Sequence, residues 1–297
     1  MENRPPRRRR KGGAGRPRRS EGKNALKQRI VTGALLILLL VILLCLPGWC
    51  MALAALVAIG FATWEEYHAL TLAGHRVVSW PAWVVLVGSV PLTRTFGAGL
   101  IIPLMALALL MMSVQIIFRP APDLTDLAMS ALPILTVVLP GLSMVALSLQ
   151  DQKAVEVVLM ALVFAVPLLG DTFALFVGSA VGGKKLCPAV SPHKTVAGAL
   201  GGLFGSVLAS GIILGISAAV CNAATLAKLP GWPGYLLLGL LGGLVGQIGD
   251  LFASLVKRHS GIKDFSNLFP GHGGMLDRLD SVLFMAVLVF CYMTFMK

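Results

Sequence analysis

The sequence predicts an all-α fold: a polytopic transmembrane bundle of about nine helices behind a disordered basic tail. Two observations carry this prediction. The 297 residues are 57% hydrophobic and only 13% charged, with a mean hydropathy of +0.84, which is too apolar for an ordinary water-soluble domain. Apolar runs near the ~20 residues that cross a hydrocarbon core also recur along the chain, and their density favours helices over the alternating pattern of a membrane barrel.

Residues 1–29 form the tail. They hold twelve of the 25 Lys and Arg residues against Glu2 and Glu21, a net +10 of the total +12, so the body carries only +2. A segment this rich in Pro, Gly and Arg cannot bury a core; it is expected to be disordered, to lie against anionic headgroups and to fix its end in the cytoplasm. No aromatic interleaving or nucleic-acid motif accompanies the basic run, so no nucleic-acid partner is expected. The first apolar run has no clear small-residue cleavage site and leads into many more spans, so a cleaved signal peptide is not expected.

Residues 30–297 are expected to form one integral-membrane domain, with apolar helices over 30–46, 49–66, 79–96, 99–118, 128–149, 155–178, 197–220, 232–256 and 281–296. Charge sidedness tests that count. With the tail in the cytoplasm, the loops on its side carry Arg76, Arg119, Lys184, Lys185, Lys194, Lys257, Arg258, Lys263 and Arg278. The other side carries Arg94, Lys153, Lys228 and Lys297. The bias follows the positive-inside rule and turns loops 179–196 and 257–280 toward the cytoplasm. In the last third, Gly198, Gly201, Gly202, Gly205, Gly211 and Gly215, then Gly239, Gly242, Gly243, Gly246 and Gly249, recur at helical spacing. Such stripes let helices pack closely and make a homodimer plausible. The five cysteines show no CxxC or Cys/His spacing, so neither a zinc site nor a disulfide framework is expected. His68 and His75 are read as loop residues, and Glu65 and Glu66 as the bundle-facing end of the second helix.

Chemistry concentrates between Asp250 and Asp280. Asp250, Ser254, Lys257 and Arg258 have the spacing of one polar helical stripe, and a carboxylate as deep as Asp250 requires a cation. Lys263, Asp264 and the turn Pro270-Gly271-His272-Gly273-Gly274 follow, then Asp277, Arg278 and Asp280 at the start of the last helix. Asp250, Asp277 and Asp280 are candidate ligands of one Mg2+ ion, whose preferred donors are oxygens. Lys257, Arg258 and Arg278 suit phosphate oxygens, and His272, Gly273 and Gly274 form a turn with open backbone amides. A second cluster holds Asp171, Lys184, Ser191, Lys194 and Thr195; it lacks the Walker spacing. Together these residues point to metal-assisted chemistry on a phosphate-bearing substrate at the membrane surface.

From Ser254 through Asp280 the chain closely resembles the phosphatidate cytidylyltransferases, or CDP-diacylglycerol synthases. A looser likeness covers Lys27-Gln28-Arg29-Ile30 and residues 171–198. The resemblance implies transfer of CMP from CTP to phosphatidate, with Mg2+ as cofactor, giving CDP-diacylglycerol and pyrophosphate in a bacterial inner membrane with the site facing the cytoplasm. It also implies that Asp250, Asp277 and Asp280 organise the metal and that Lys257, Arg258 and Arg278 hold phosphates. Two departures stand out: the family usually has glutamate where this chain has Ala197 and Ala253, and His193 replaces a commoner Lys or Asn. A catalytically impaired relative and a secondary transporter are the alternatives. Crowding of the polar motifs into the last third opposes the transporter's two-fold repeat. The Asp-Gly-x-x-Ala-Arg motif of enzymes that consume CDP-lipids is missing.

Overall fold

A computed structural model describes residues 19–96 and 101–296. It contains α1 (Arg19–Cys45), α2 (Gly48–Leu72), α3 (Trp80–Phe96), α4 (Ile101–Ile117), α5 (Leu124–Pro133), α6 (Leu139–Ser148), α7 (Lys153–Val181), α8 (Val196–Val220), a short α9 (Ala223–Leu226), α10 (Trp232–His259) and α11 (Leu276–Phe295). A π-turn over Ile134–Val138, just after Pro133, joins α5 to α6 as one span. Six spans are long and apolar enough to cross a bilayer; apolar segments Ile30–Cys45, Trp80–Pro91 and Ile101–Ile117 are shorter.

The helix set matches the expectation, while several boundaries move. Residues 19–29, assigned to the tail, belong to α1; residues 1–18 lie outside the described residues. α2 continues to Leu72, so His68 is helical and stacks on Trp64 rather than lying in a loop. α11 begins at Leu276, five residues before the expected start, which places Asp277 and Asp280 in its first turns. The 179–196 segment also contains an antiparallel hairpin, Lys185–Cys187 (β1) with Ser191–Thr195 (β2), pairing Lys185 with Thr195 and Cys187 with Ser191.

Large apolar side chains cover the outside of the bundle as well as its core. Leu175, Leu200 and Phe204 are exposed, whereas Glu65, Glu66, Glu156, Ser206 and Ser210 are buried. Apolar surface faces lipid, and interior polar groups find partners inside the bundle: Ser206 donates to the Val166 carbonyl at 3.1 Å and Ser210 to that of Tyr235 at 2.5 Å. The chain is an integral membrane protein.

Close packing between α7 and α8 sets up the site. A Cβ placed on Gly198 would lie 2.8 Å from the Ala174 carbonyl and 3.2 Å from the Gly178 Cα; one on Gly201 would lie 2.6 Å from the Val177 Cβ. Only glycine lets the backbones approach so closely there. Gly211 and Gly215, counted in the same stripe, have nothing within 4 Å of such a Cβ and take no part in the packing. α11 runs through the centre against α2, α6, α7 and α10, with Leu283, Met285, Ala286 and Val289 fully buried.

Candidate active site

A cavity of about 450 Å3 opens where α7, the hairpin, α8, α10 and α11 meet. α7 contributes Asp171, ten residues before its last residue, a depth of about 15 Å along the helix. The hairpin contributes His193, Lys194 and Thr195; Thr195 also caps α8, its Oγ1 accepting the Gly198 amide at 3.0 Å. Gln247 and Asp250 come from α10, and Asp277, Arg278 and Asp280 from α11.

Charge within this wall is mixed. Lys194 Nζ is ion-paired with Asp250 Oδ2. Asp250 repels both Asp171 and Asp280; Lys194 and Arg278 attract Asp171, and Lys257 attracts Asp280. Carboxylates from three helices thus share one polar space with two cations in its lining, an arrangement suited to a phosphate ligand and a hard cation together.

Asp277 departs from the expected metal role. Its Oδ1 accepts from Lys257 Nζ at 2.6 Å and its Oδ2 from the backbone amides of Phe265 and Gly274, each at 2.9 Å. Oδ1 thus ties α11 to α10 and Oδ2 folds the 260–275 loop onto α11. Nor do three His, Cys, Asp or Glu residues form a metal-holding group among the described residues, so the expected Asp250, Asp277 and Asp280 trio is not assembled. Mg2+ is commonly held by one or two carboxylates, with substrate phosphates and waters completing its shell, and Asp250 and Asp280, both in the cavity lining, are the pair that could serve in that way.

The other expected residues divide by position. Asp171, Lys194 and Thr195 join Asp250, Arg278 and Asp280 at the cavity; Lys184, Ser191, Ser254, Lys257, Arg258, Lys263, Asp264, His272, Gly273 and Gly274 are not part of its lining. Arg258 Nε donates to the Val190 carbonyl at 3.3 Å, tying α10 to the hairpin turn. Lys257 stands over the Phe265 ring as well as pairing with Asp277. The Gly274 amide, expected to face a phosphate, is taken by Asp277, and Gly273 turns the chain with φ +83 while its carbonyl accepts from the Phe269 amide. His272 packs beside Gly33 of α1. Lys263 and Asp264 are exposed.

Glu65 and Glu66 matter more than their sequence context showed. Glu65, 1% exposed, accepts from Ser266 Oγ at 2.6 Å, the Met275 amide at 2.9 Å and the Leu276 amide at 2.7 Å. Glu66, also buried, accepts from Thr136 Oγ1 and lines a second cavity, large enough for about one water, together with Ala253 and Asp280. Paired acids at the end of an apolar helix were the only signal in the sequence.

These features define a polytopic membrane protein with a polar, phosphate-suited cavity set into its helices. The chain belongs to the cytidylyltransferase family, whose model matches residues 27–296. It is similar to the phosphatidate cytidylyltransferase of Brucella abortus biovar 1 (strain 9-941), 44% identical over 129 residues, covering 43% of this chain and 44% of that protein. The proteins of the same name from Bacillus subtilis (strain 168) and Staphylococcus aureus (strain COL) are 41% identical over 122 residues and 40% over 128. Those alignments cover 41% of this chain and 41% of the B. subtilis protein, and 42% and 45% for S. aureus. The chain therefore spans less than half the length of the curated relatives it matches.

Proposed function

We propose that this protein transfers CMP from CTP to phosphatidate, releasing pyrophosphate and forming CDP-diacylglycerol on the cytoplasmic face of a bacterial inner membrane. The observation that carries the reading is the meeting of Lys194 and Arg278 with Asp171, Asp250 and Asp280 in one cavity cut into membrane-spanning helices. A water-soluble triphosphate and a membrane-bound phosphate can meet only where such a polar space opens beside lipid-facing surface, and Leu175, 70% exposed, lies on the cavity wall.

In the reaction a phosphatidate phosphate oxygen forms a bond to the α-phosphorus of CTP, and the bond from that phosphorus to the β-phosphate bridge breaks, its electrons leaving with pyrophosphate. No side-chain nucleophile is needed. Arg278 and Lys194 hold and orient phosphate oxygens, Lys194 exchanging its Asp250 partner for substrate. Asp250 and Asp280 are the residues that would hold Mg2+, which when bound offsets negative charge on the phosphates. Asp171 adds a third carboxylate to the same space, while Lys257, through Asp277, shapes the wall. Catalysis on this reading is positioning and electrostatic stabilisation.

Purified protein supplied with labelled CTP, phosphatidate and Mg2+ is expected to yield CDP-diacylglycerol and pyrophosphate in equal amounts. Asp250→Asn and Arg278→Ala are each expected to lower turnover by about 100-fold or more, the cost typical of a lost charge-stabilising group. Absence of labelled lipid from the unaltered protein would remove the reading.

A further inference from the structure

We propose that Glu65 is a positioning residue of this site: from α2 it holds the first turn of α11, and with it Arg278 and Asp280, where they face Asp171 and Asp250. Its effect on turnover rests on the transferase reading; its hold on α11 stands on geometry alone.

The first amides of a helix have no partners within it, and α11 has no side-chain cap of its own, since Met275 fills the N-cap position with helical backbone angles. Glu65 supplies the cap from another helix. Its Oε1 takes the Met275 amide and its Oε2 the Leu276 amide, while Oε1 also takes the Ser266 hydroxyl. A carboxylate is well placed at a helix N-terminus, and with three donors this one is satisfied despite being almost fully buried. The approach depends on Gly274, where a Cβ would lie 2.5 Å from both Glu65 oxygens. From the other side Asp277 takes the amides of Phe265 and Gly274. The segment 265–276 is thus held between two carboxylates, and Arg278 and Asp280 follow it immediately on the same helix. Glu65 does not line the main cavity and can act on substrate only through α11.

Glu65→Gln keeps the shape but removes the charge and turns an NH2 group toward at least one of the three donors. Amide exchange over residues 265–280, followed by mass spectrometry on the full-length protein in detergent, is expected to speed up by about tenfold at Met275 and Leu276, as the loss of one charge-assisted bond predicts. CDP-diacylglycerol synthesis by the same samples is expected to show raised half-saturating concentrations of Mg2+ and CTP, each by about threefold or more. A purely structural loss would lower the amount of active protein and leave both concentrations in place. Glu156→Gln, which alters a buried carboxylate paired with Lys153, should leave both unchanged. Should Glu65→Gln fail to fold, Gly274→Ala disturbs the same three bonds from the partner side and is expected to give the same two shifts. Unchanged exchange at Met275 and Leu276, or unchanged half-saturation, overturns the proposal. If the unaltered protein forms no product, the transferase reading fails while exchange still decides whether Glu65 holds α11.

Discussion

Asp277 shows how a motif acid can serve the fold around a site rather than its ligand. With Lys257 on one oxygen and two backbone amides on the other, it has little left to offer a metal. Its side chain is 4% exposed and that of Lys257 13%, so removing the charge leaves a buried ammonium unpaired. Asp277→Asn is expected to destabilise the protein by about 3 kcal/mol, measured by thermal unfolding in detergent, because breaking one side of a buried pair strands the other. Ala253 poses the opposite case. It is buried beside the small cavity that also receives Glu66 and Asp280. A glutamate there, as in the family pattern, would enter a space for about one water already facing two acids. Ala253→Glu is therefore expected to lower the unfolding temperature rather than raise activity. Combining it with Glu66→Ala should recover most of the loss, since the new carboxylate then gains the vacated volume and the Thr136 hydroxyl; a double variant no more stable than Ala253→Glu would refute this.

At the level of elements, sequence periodicity served well where packing is repetitive and poorly where partners are distant. Apolar runs marked the helices, and glycine spacing marked the contact of α7 with α8. It did not separate Gly198 and Gly201, which touch a neighbour, from Gly211 and Gly215, which touch none, because the latter two turn to the exposed face of α8 while Ile213 and Ser217 take the buried one. The hairpin went unseen because strands of three and five residues, preceded by Gly182-Gly183, separated by a turn containing Pro188 and with Pro192 inside the second, carry no readable alternation. The role of Glu65 was hidden more deeply: its donors lie 201, 210 and 211 residues away. The glycine contrast yields a paired test. Gly198→Val would wedge α7 from α8 and is expected to cost about 1–3 kcal/mol, as overpacking does, and to reduce CMP transfer as Asp171 and Thr195 move apart. Gly215→Val, on the open face, should change unfolding temperature and turnover little.

Across the described residues, the polar cavity, the hairpin and the 260–275 loop gather at one end of the bundle, and Lys184, Lys185, Lys194, Lys257, Arg258, Lys263 and Arg278 belong to the segments that meet there. α8 makes the separation explicit. It runs from the Thr195 cap beside the cavity to Cys221 at its far end, 25 residues or about 37 Å, enough to cross the hydrocarbon core. Cys187 lies on the hairpin at the cavity end, so the two native thiols report on opposite faces. If the positive-inside rule orients this chain, Cys187 faces the cytoplasm and Cys221 the opposite side. Single-cysteine versions retaining one or the other, expressed in a bacterial host and treated as spheroplasts with a membrane-impermeant maleimide, are expected to label at Cys221 and not at Cys187. Inverted membrane vesicles should reverse the pattern. Labelling of Cys187 from outside would place the cavity away from cytoplasmic CTP, and the proposed reaction could not draw on that pool even with every carboxylate and cation of the site in place.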